Sequence, residues 1–217
     1  MGAETLARAG AAQVINDIYT DPAGGLYDGV DFKCRVIPVL VGQVTWRDEA
    51  PDMLEYVTGA DCATCDQTCV GDEISSNCLL DSFMTYYEAQ KDALGAIFGT
   101  HIDNAHLFSG RDFSKGKKGR AFVRGMCSRD SVAIESITVS LVLGAAVAAH
   151  ELGHNLGMSH DCEKDSPEEC NSGHLMNWIV SSTGLSFSQG SKRVRNSQLS
   201  RLISRPVSTR FSSFLDE

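Results

Sequence analysis

The spacing of hydrophobic residues changes along the chain, and each spacing predicts a different element. Apolar side chains in residues 6–19 fall near a helical period, which predicts an amphipathic helix that Asp21-Pro-Ala-Gly-Gly then ends. Residues 32–46 are β-branched and apolar, as in a buried strand, although Pro38 lacks a ladder donor and favours an edge or a bulge. Altogether we predict helices at 6–19, 83–98, 141–156 and near 197–204, and strands at 32–46, 105–108, 120–124 and 132–137.

Strands alternate with helices early in this pattern, and irregular chain dominates after the long helix at 141–156. This order predicts an α/β fold with an irregular C-terminal part. No linker divides the chain, so we predict one domain over 1–217, with a polar cysteine-rich insert at 59–80.

Charge is unevenly distributed along the chain. The net charge of −9 argues against a nucleic-acid binder, whose surface is usually basic. Residues 192–210 nevertheless contain six basic residues and no acidic one, and residues 111–124 contain six basic residues against Asp112 alone. We favour the interpretation that these are solvated faces of an acidic protein, and the alternative is a rim that attracts acidic substrates.

The chain carries eight cysteines, an even number that favours an oxidising compartment. Four of them lie in the insert with C-x2-C-x3-C-x8-C spacing, namely Cys62, Cys65, Cys69 and Cys78. This spacing could hold a structural zinc, but we favour two disulfides, with Cys34 as a candidate partner. Cys162 and Cys170 flank a short acidic loop and could pair locally. Eight cysteines allow 105 pairings, so the spacing leaves the connectivity open.

The N-terminus lacks the basic and apolar regions of a signal peptide. The longest apolar stretch, residues 141–149, is about half of the ~20 residues that a membrane-spanning helix needs. Because the cysteines still indicate an oxidising compartment, we expect that a targeting segment lies upstream in a longer precursor or was lost. We therefore expect an extracellular or secretory-pathway protein.

The motif with the clearest chemistry is His150-Glu-Leu-Gly-His154-Asn-Leu-Gly157-Met-Ser-His160-Asp161. Residues four apart share one face of a helix, so His150 and His154 can bind one metal ion. Gly157 accepts the positive φ typical of a helix-ending turn, which lets His160 return to the same ion. Three imidazoles with a fourth position open to water are typical of a catalytic zinc.

This motif resembles the zinc motif of the metzincin metallopeptidases. Asp161 is similar to the residue found there in the reprolysin (adamalysin, ADAM-like) branch, and residues 101–110 and 119–128 also resemble segments of that family. The resemblance covers about residues 5–205. It implies a metzincin-type catalytic domain with a twisted mixed β-sheet, a long zinc-binding active-site helix and an irregular C-terminal subdomain.

The resemblance implies a zinc endopeptidase that acts on protein or peptide substrates. Glu151 would be the general base that activates a zinc-bound water, and Asp161 a supporting carboxylate rather than a catalyst. Met176 would form the Met-turn beneath the metal. An extended substrate would pair with the edge strand and place an apolar side chain in a pocket, which assigns substrate binding to Gly119, Arg120, Ala121, Phe122, Trp178, Ile179 and Val180. We expect a monomer.

The sequence also departs from the family pattern. The first family strand is apparently missing, which would leave an unpaired sheet edge. Asp103 matches one ligand of the family calcium site, but its partners are absent, so we predict one catalytic zinc ion and leave calcium open. The cysteine matching Cys127 normally pairs near the C-terminus, where this chain has none.

Two other functions compete with the peptidase. A catalytically impaired metzincin-like scaffold could act as a binding module, although the intact Glu151 weighs against it. A redox pair at Cys62 and Cys65 is the weaker hypothesis, because the usual βαβ context is missing. We interpret His101, His106 and His174 as ordinary loop or surface residues.

Overall fold

The computed structural model describes residues 37–46, 51–65, 67–138, 140–161, 173–180, 186–191 and 208–216. The helices predicted at 6–19 and near 197–204 lie outside these residues, as do Cys34, Cys162 and Cys170.

The architecture is a mixed β-sheet with helices, as the resemblance implied. The strands are β1 (Ile37–Trp46), β2 (Asn104–Ser109), β3 (Gly119–Ala121), β4 (Val132–Ser136) and β5 (Ser208–Asp216). Their order in the five-stranded sheet is β1-β5-β2-β4-β3. All neighbouring strands are parallel except β3, which runs antiparallel to β4. The antiparallel strand therefore forms one edge of the sheet.

Two helices flank the sheet. The first, α1 (Ser76–Phe98), begins seven residues before the predicted start at 83, because Ser75 caps it by accepting a hydrogen bond from the Cys78 amide. The second, α2 (Leu141–Asn155), agrees with the prediction and is capped by Ser140, which accepts from the Leu143 amide. Short 3₁₀ turns lie at Gly59–Cys65 and Ser114–Gly116. No helix among the described residues has both the length and the apolar character to cross a membrane.

The hydrophobic core has one cluster on each face of the sheet. Leu107 and Ile134 belong to the cluster with residues of α1, whereas Phe108 belongs to the cluster with residues of α2. Because successive strand residues point to opposite faces, α1 and α2 cover opposite sides of the sheet. The residues of α2 in its cluster are largely alanines, with Leu152. Small side chains allow α2 to lie close to the sheet, which places its metal-binding end at a defined position.

One interior strand of the sheet was not predicted by the hydrophobic pattern. Strand β5 lies between β1 and β2, and Phe214 within it is fully buried. Its sequence, STRFSSFLD, has no regular alternation, so only pairing with distant strands identifies it. Strand β1 is an edge strand, as Pro38 indicated, and its register shifts between Leu40 and Gly42.

The edge strand β3 is shorter than the predicted strand at 120–124. The reason is that the chain turns toward α2 at Arg124, which has a φ of 66°. The Arg124 amide donates to the His154 carbonyl at 2.8 Å, and the Met126 amide donates to the Asn155 carbonyl at 3.0 Å. These carbonyls are at the C-terminal end of α2, where the amide four residues on no longer belongs to the helix and cannot donate to them.

The cysteine-rich insert is cross-linked by disulfides. Cys62 pairs with Cys69 and Cys65 pairs with Cys78, which confirms the prediction of two disulfides; neither bridge involves Cys34. Gln67 lies between them and accepts hydrogen bonds from the hydroxyls of Ser75 and Ser114 at 2.8 and 3.0 Å. The insert is thus fixed to the start of α1.

The interpretation of His106 as a loop or surface residue was wrong. His106 lies in β2 and is buried, with its Nδ1 atom 2.5 Å from Oε1 of the buried Glu135 in β4. Burial raises the pKa of Glu135 above its usual value, and His106 offsets part of this rise. His101 does lie exposed, 3.0 Å from Asp103.

Candidate active site

Helix α2 and the turn after it bring three imidazoles together. His150 and His154 lie one helical turn apart on the same face of α2. One ring nitrogen each of His150, His154 and His160 lies within 4.8 Å of the others. The Nε2 atoms of His154 and His160 are 3.2 Å apart. The structure therefore gathers the three predicted ligands into a triad able to bind a metal ion.

The two helical imidazoles are oriented by backbone carbonyls. Nδ1 of His150 is 2.7 Å from the Leu175 carbonyl, and Nδ1 of His154 is 2.8 Å from the Met158 carbonyl. A carbonyl only accepts hydrogen bonds, so each Nδ1 carries the proton and each Nε2 offers its lone pair. Neutral imidazoles with free Nε2 atoms are the donor set that zinc prefers.

Burial keeps these two rings neutral. Burial, and to a smaller extent the neighbouring imidazoles, lower the pKa of His150 well below its usual value and that of His154 to about 4. At neutral pH both rings are therefore neutral before any metal binds, with a proton on Nδ1 and none on Nε2. No proton has to be displaced from either ring for coordination.

Gly157 directs the chain from the helix to the third ligand. Its φ of 97° lies in the left-handed region that glycine adopts without strain. The Gly157 amide donates to the His154 carbonyl, and the Met158 amide donates to the Gly153 carbonyl. These bonds close the helix, after which His160 turns back and stacks on Trp178, with ring centres 4.3 Å apart.

Glu151 lies in the same cleft and against the edge strand. Its side chain is buried, with 4% exposed. A Cβ atom built on Gly119 would overlap Oε1 of Glu151 and would lie 2.7 Å from Val147. Burial, and to a smaller extent Glu135, raise the pKa of Glu151 well above its usual value, while Arg120 and Lys117 oppose the rise. The bare backbone at Gly119 therefore makes room for a carboxylate with a high proton affinity.

Met176 lies beneath the triad. It is fully buried, and a Cβ atom on Gly153, between the two helical ligands, would lie 2.6 Å from its sulfur. The Asp161 amide donates to the Met176 carbonyl at 2.8 Å. The buried Asp161 carboxylate accepts from the hydroxyls of Ser188 and Ser191 at 2.6 and 3.2 Å. The structure thus places Asp161 as an anchor for the segments below the metal site.

The family model for reprolysin (M12B) zinc metalloproteases matches residues 63–206, which is more than half of the chain. The chain belongs to the reprolysin family. Reprolysins are zinc metalloproteases, and the triad of His150, His154 and His160 can hold that zinc ion. The fold and the metal predicted from the sequence are thereby confirmed.

Similar proteins match shorter segments. The chain is 44% identical over 73 residues to a zinc metalloproteinase-disintegrin-like brevilysin H2a from Gloydius brevicauda, which is 33% of this chain and 17% of that protein. It is 44% identical over 84 residues to a zinc metalloproteinase-disintegrin-like protein from Cerberus rynchops, which is 38% of this chain and 13% of that protein. The chain thus spans less than a fifth of the length of these relatives.

The reprolysin cleft of about 510 Å³ has two walls. The α2–β3 wall is formed by α2 and β3, and the Met176 wall is formed by residues 173–180. Gly119, Arg120 and Ala121 line the first, and Trp178, Ile179 and Val180 line the second. Phe122 is not among the lining residues; its side chain packs against the core cluster on the α1 side. Strand β3 ends at Ala121, just before it.

Sequence reasoning missed Asn155, which connects the α2–β3 wall to the sheet. Its side-chain amide donates to the carbonyls of Phe122 and Val132 at 2.8 and 3.2 Å, and its oxygen accepts from Asn104. Asparagine at a helix end usually predicts a cap or a turn, so the sequence carried no signal for this role. Lys117, Val147 and Ser159 also line the cleft and were not predicted.

Proposed function

We propose that the domain is a zinc-dependent endopeptidase that hydrolyses peptide bonds of protein substrates, with Glu151 as general base. The observation that carries the proposal is the convergence of the three imidazoles with a buried carboxylate in one open cleft. A purely structural zinc site has four protein ligands and no cleft. Here the three histidines line an open cleft, so a zinc ion that they held would keep a coordination position for water or substrate.

The residues divide the chemistry as follows. Zinc held by His150, His154 and His160 would polarise the scissile carbonyl and lower the pKa of the attacking water. Glu151 would accept the proton of that water and later pass it to the departing amine. Its position supports this role, because the carboxylate lies in the cleft next to His150 and against Gly119 of the edge strand.

Substrate binding would use the edge of the sheet. Within the described sheet β3 pairs only with β4, so its other side can accept an extended peptide by β-augmentation. Gly119, Arg120 and Ala121 would align the peptide beside Glu151. Trp178, Ile179 and Val180 would line the pocket for an apolar side chain after the cleaved bond, which their position on the Met176 wall supports.

We also infer a monomer that works outside the cytosol, in the extracellular space or the secretory pathway. The two disulfides of the insert support this location, because cytosolic reductants keep such thiols reduced. Incubation with a glutathione buffer of cytosolic composition should break the bridges and lower stability. Light scattering of the purified chain tests the monomer.

Glu151→Gln tests the enzyme against the binding module. We expect the variant to retain stoichiometric zinc and to lose at least ~10²-fold in cleavage of a quenched fluorescent peptide, because an amide cannot accept the proton. Glu88→Gln, an exposed residue of α1, is the matched control and should cleave normally. Near-wild-type cleavage by Glu151→Gln would refute the general base. A zinc-loaded wild type without cleavage of any library peptide would favour the binding module.

A further inference from the structure

We propose that the cleft selects peptides with an acidic side chain two or three residues from the scissile bond, which Lys117 binds while Arg120 adds positive charge to the same wall. This inference rests on the proposed endopeptidase function and adds a substrate class to it. It follows from three observations: cations without a carboxylate partner, partial burial of one of them, and the apolar character of the opposite wall.

Three cations line the cleft beside the edge strand, but only one is neutralised. Lys118 forms an ion pair with Asp112 at 2.8 Å. In the described part of the chain, neither Lys117 nor Arg120 forms an ion pair with a carboxylate. The only carboxylate that lines the cleft is Glu151, which the proposed chemistry already uses. The α2–β3 wall therefore carries excess positive charge although the chain as a whole carries −9.

Lys117 is half-buried beside other cations. Burial lowers the pKa of its ammonium group, and Arg120 and Lys115 lower it further, whereas the Glu151 carboxylate opposes this change to a smaller extent. A cation on a solvated face would lose little hydration and would not need a partner. Partial burial next to two like charges is unfavourable, and a carboxylate supplied by a ligand would offset it. This observation favours the substrate rim over the solvated face.

The position of Lys117 relative to Glu151 sets where the acidic side chain should lie. The Lys118 carbonyl accepts from the Ser136 amide, so the extended chain continues ahead of β3. Lys117 precedes Gly119 by two residues, which places both on the same side of an extended chain and about 7 Å apart. Since Gly119 contacts Glu151, the basic site lies two to three substrate residues from the bond that is cut.

The Met176 wall, opposite the cations, is apolar, so the cleft is basic on one side only. Trp178 and Ile179 on the Met176 wall are 64% and 82% exposed, and no charged residue lies among the cleft residues 178–180. An extended peptide alternates its side chains between two sides. The geometry therefore fits a peptide with an apolar residue toward the Met176 wall and an acidic residue toward Lys117.

Paired peptides test the inference. A quenched fluorescent peptide that the enzyme cleaves is made with glutamate or with glutamine at each of the three positions on both sides of the bond. We expect kcat/KM to be about 3- to 5-fold higher for glutamate at one position, with the ratio falling as salt is added. Lys117→Gln should bring this ratio close to one, and Lys117→Glu should favour a lysine peptide. Lys118→Gln, which removes the same charge from an already paired site, should keep the ratio.

Binding measurements separate this inference from the proposed function. The same peptides, carrying a fluorophore, are titrated with zinc-loaded Glu151→Gln, and the dissociation constants are read by anisotropy. Tighter binding of a glutamate peptide without cleavage by the wild type would support the acidic preference while refuting the peptidase. Equal kcat/KM and equal dissociation constants for every glutamate and glutamine pair would overturn the inference, as would a preference that Lys117→Gln leaves unchanged.

Discussion

The α2–β3 wall of the cleft is held by buried hydrogen bonds, whereas the Met176 wall presents large apolar side chains to solvent. On the first wall, the side chain of Asn155 joins α2 to the ends of β3, β4 and β2. On the Met176 wall, the hydrogen bonds lie beneath the surface. The carbonyls of Leu175 and Met176 accept from the His150 ring and the Asp161 amide, and the Leu175 amide donates to the Ser186 carbonyl. Trp178 and Ile179 above them are mostly exposed.

This difference indicates how the two walls divide their tasks. Proton transfer and metal binding require positions fixed to a fraction of an ångström, and buried polar contacts supply that precision. Substrate selection can use exposed surface, because a bound peptide covers it. Substitutions in the α2–β3 wall should therefore affect metal binding, rate and stability, while those in the Met176 wall should have smaller and more selective effects.

The largest expected effect is the loss of a metal ligand from the α2–β3 wall. His154→Ala removes one imidazole of the triad, so zinc affinity should fall by more than the ~10–100-fold that follows loss of a residue supporting a ligand. Elemental analysis after dialysis should then find almost no zinc, and cleavage should be abolished. His101→Ala, an exposed histidine outside the cleft, should keep both. Full zinc in His154→Ala would show that the triad does not hold the metal.

Gly119→Ala should show whether the α2–β3 wall positions Glu151 independently of holding the metal. The added methyl group overlaps Glu151, so the carboxylate or the edge strand must move. A displacement of about 1 Å in an active site can cost ~10²-fold in rate. We expect kcat/KM to fall to that extent while zinc content is unchanged. Ala121→Gly, in the same strand, is the control for a change in strand propensity. An unaffected rate in Gly119→Ala would contradict the close contact between Gly119 and Glu151.

Asn155→Ala should test how firmly the first wall is held. It leaves the carbonyls of Phe122 and Val132 and the amide of Asn104 without this partner, and each unsatisfied buried group costs about 1–3 kcal/mol. We expect the free energy of unfolding in urea to fall by about 3 kcal/mol or more. Thr85→Ala, which removes an exposed hydroxyl on α1, should change it by less than about 0.5 kcal/mol. If Asn155→Ala lowered the free energy of unfolding no more than Thr85→Ala does, contacts other than those of Asn155 would hold the wall.

The smallest effect is expected at the exposed Trp178 of the Met176 wall. Its ring stacks on His160, and an aromatic contact of this kind contributes about 0.5–1.5 kcal/mol. Trp178→Ala should therefore weaken zinc binding by ~2- to 10-fold in competition with a chelator, and Trp178→Phe should restore most of it. Thermal stability of the metal-free protein should hardly change. If Phe and Ala at this position gave equal zinc affinity, the stacking would have no role in holding His160.

Much of the site could be predicted because its metal ligands lie close together in the sequence. His150 and His154 are one turn apart in a helix, and Gly157 ends that helix, so the direction of His160 follows from a few neighbouring residues. The same local reasoning predicted α2 within one residue of its end. It was less accurate for the edge strand, because the carbonyls that end β3 belong to α2.

Other features depended on residues far apart in the sequence. His106 was taken for a surface residue, since only the pairing of β2 with β4 buries it beside Glu135. The two disulfides were expected, but their pairing within the insert was open among many alternatives. Phe122 was assigned to the cleft, yet the short β3 places it against the core.

The sequence by itself therefore determined the metal ligands, the helix that carries them and the family, because each follows from residue types at short, fixed spacing. Only the tertiary structure decided that β5 lies between β1 and β2 in the sheet, that Asn155 joins the helix to three strands, and that Trp178 stacks on His160. Those contacts join segments that are about 20 or more residues apart in the sequence. Hydrophobic periodicity carries no information about which of these distant surfaces will meet.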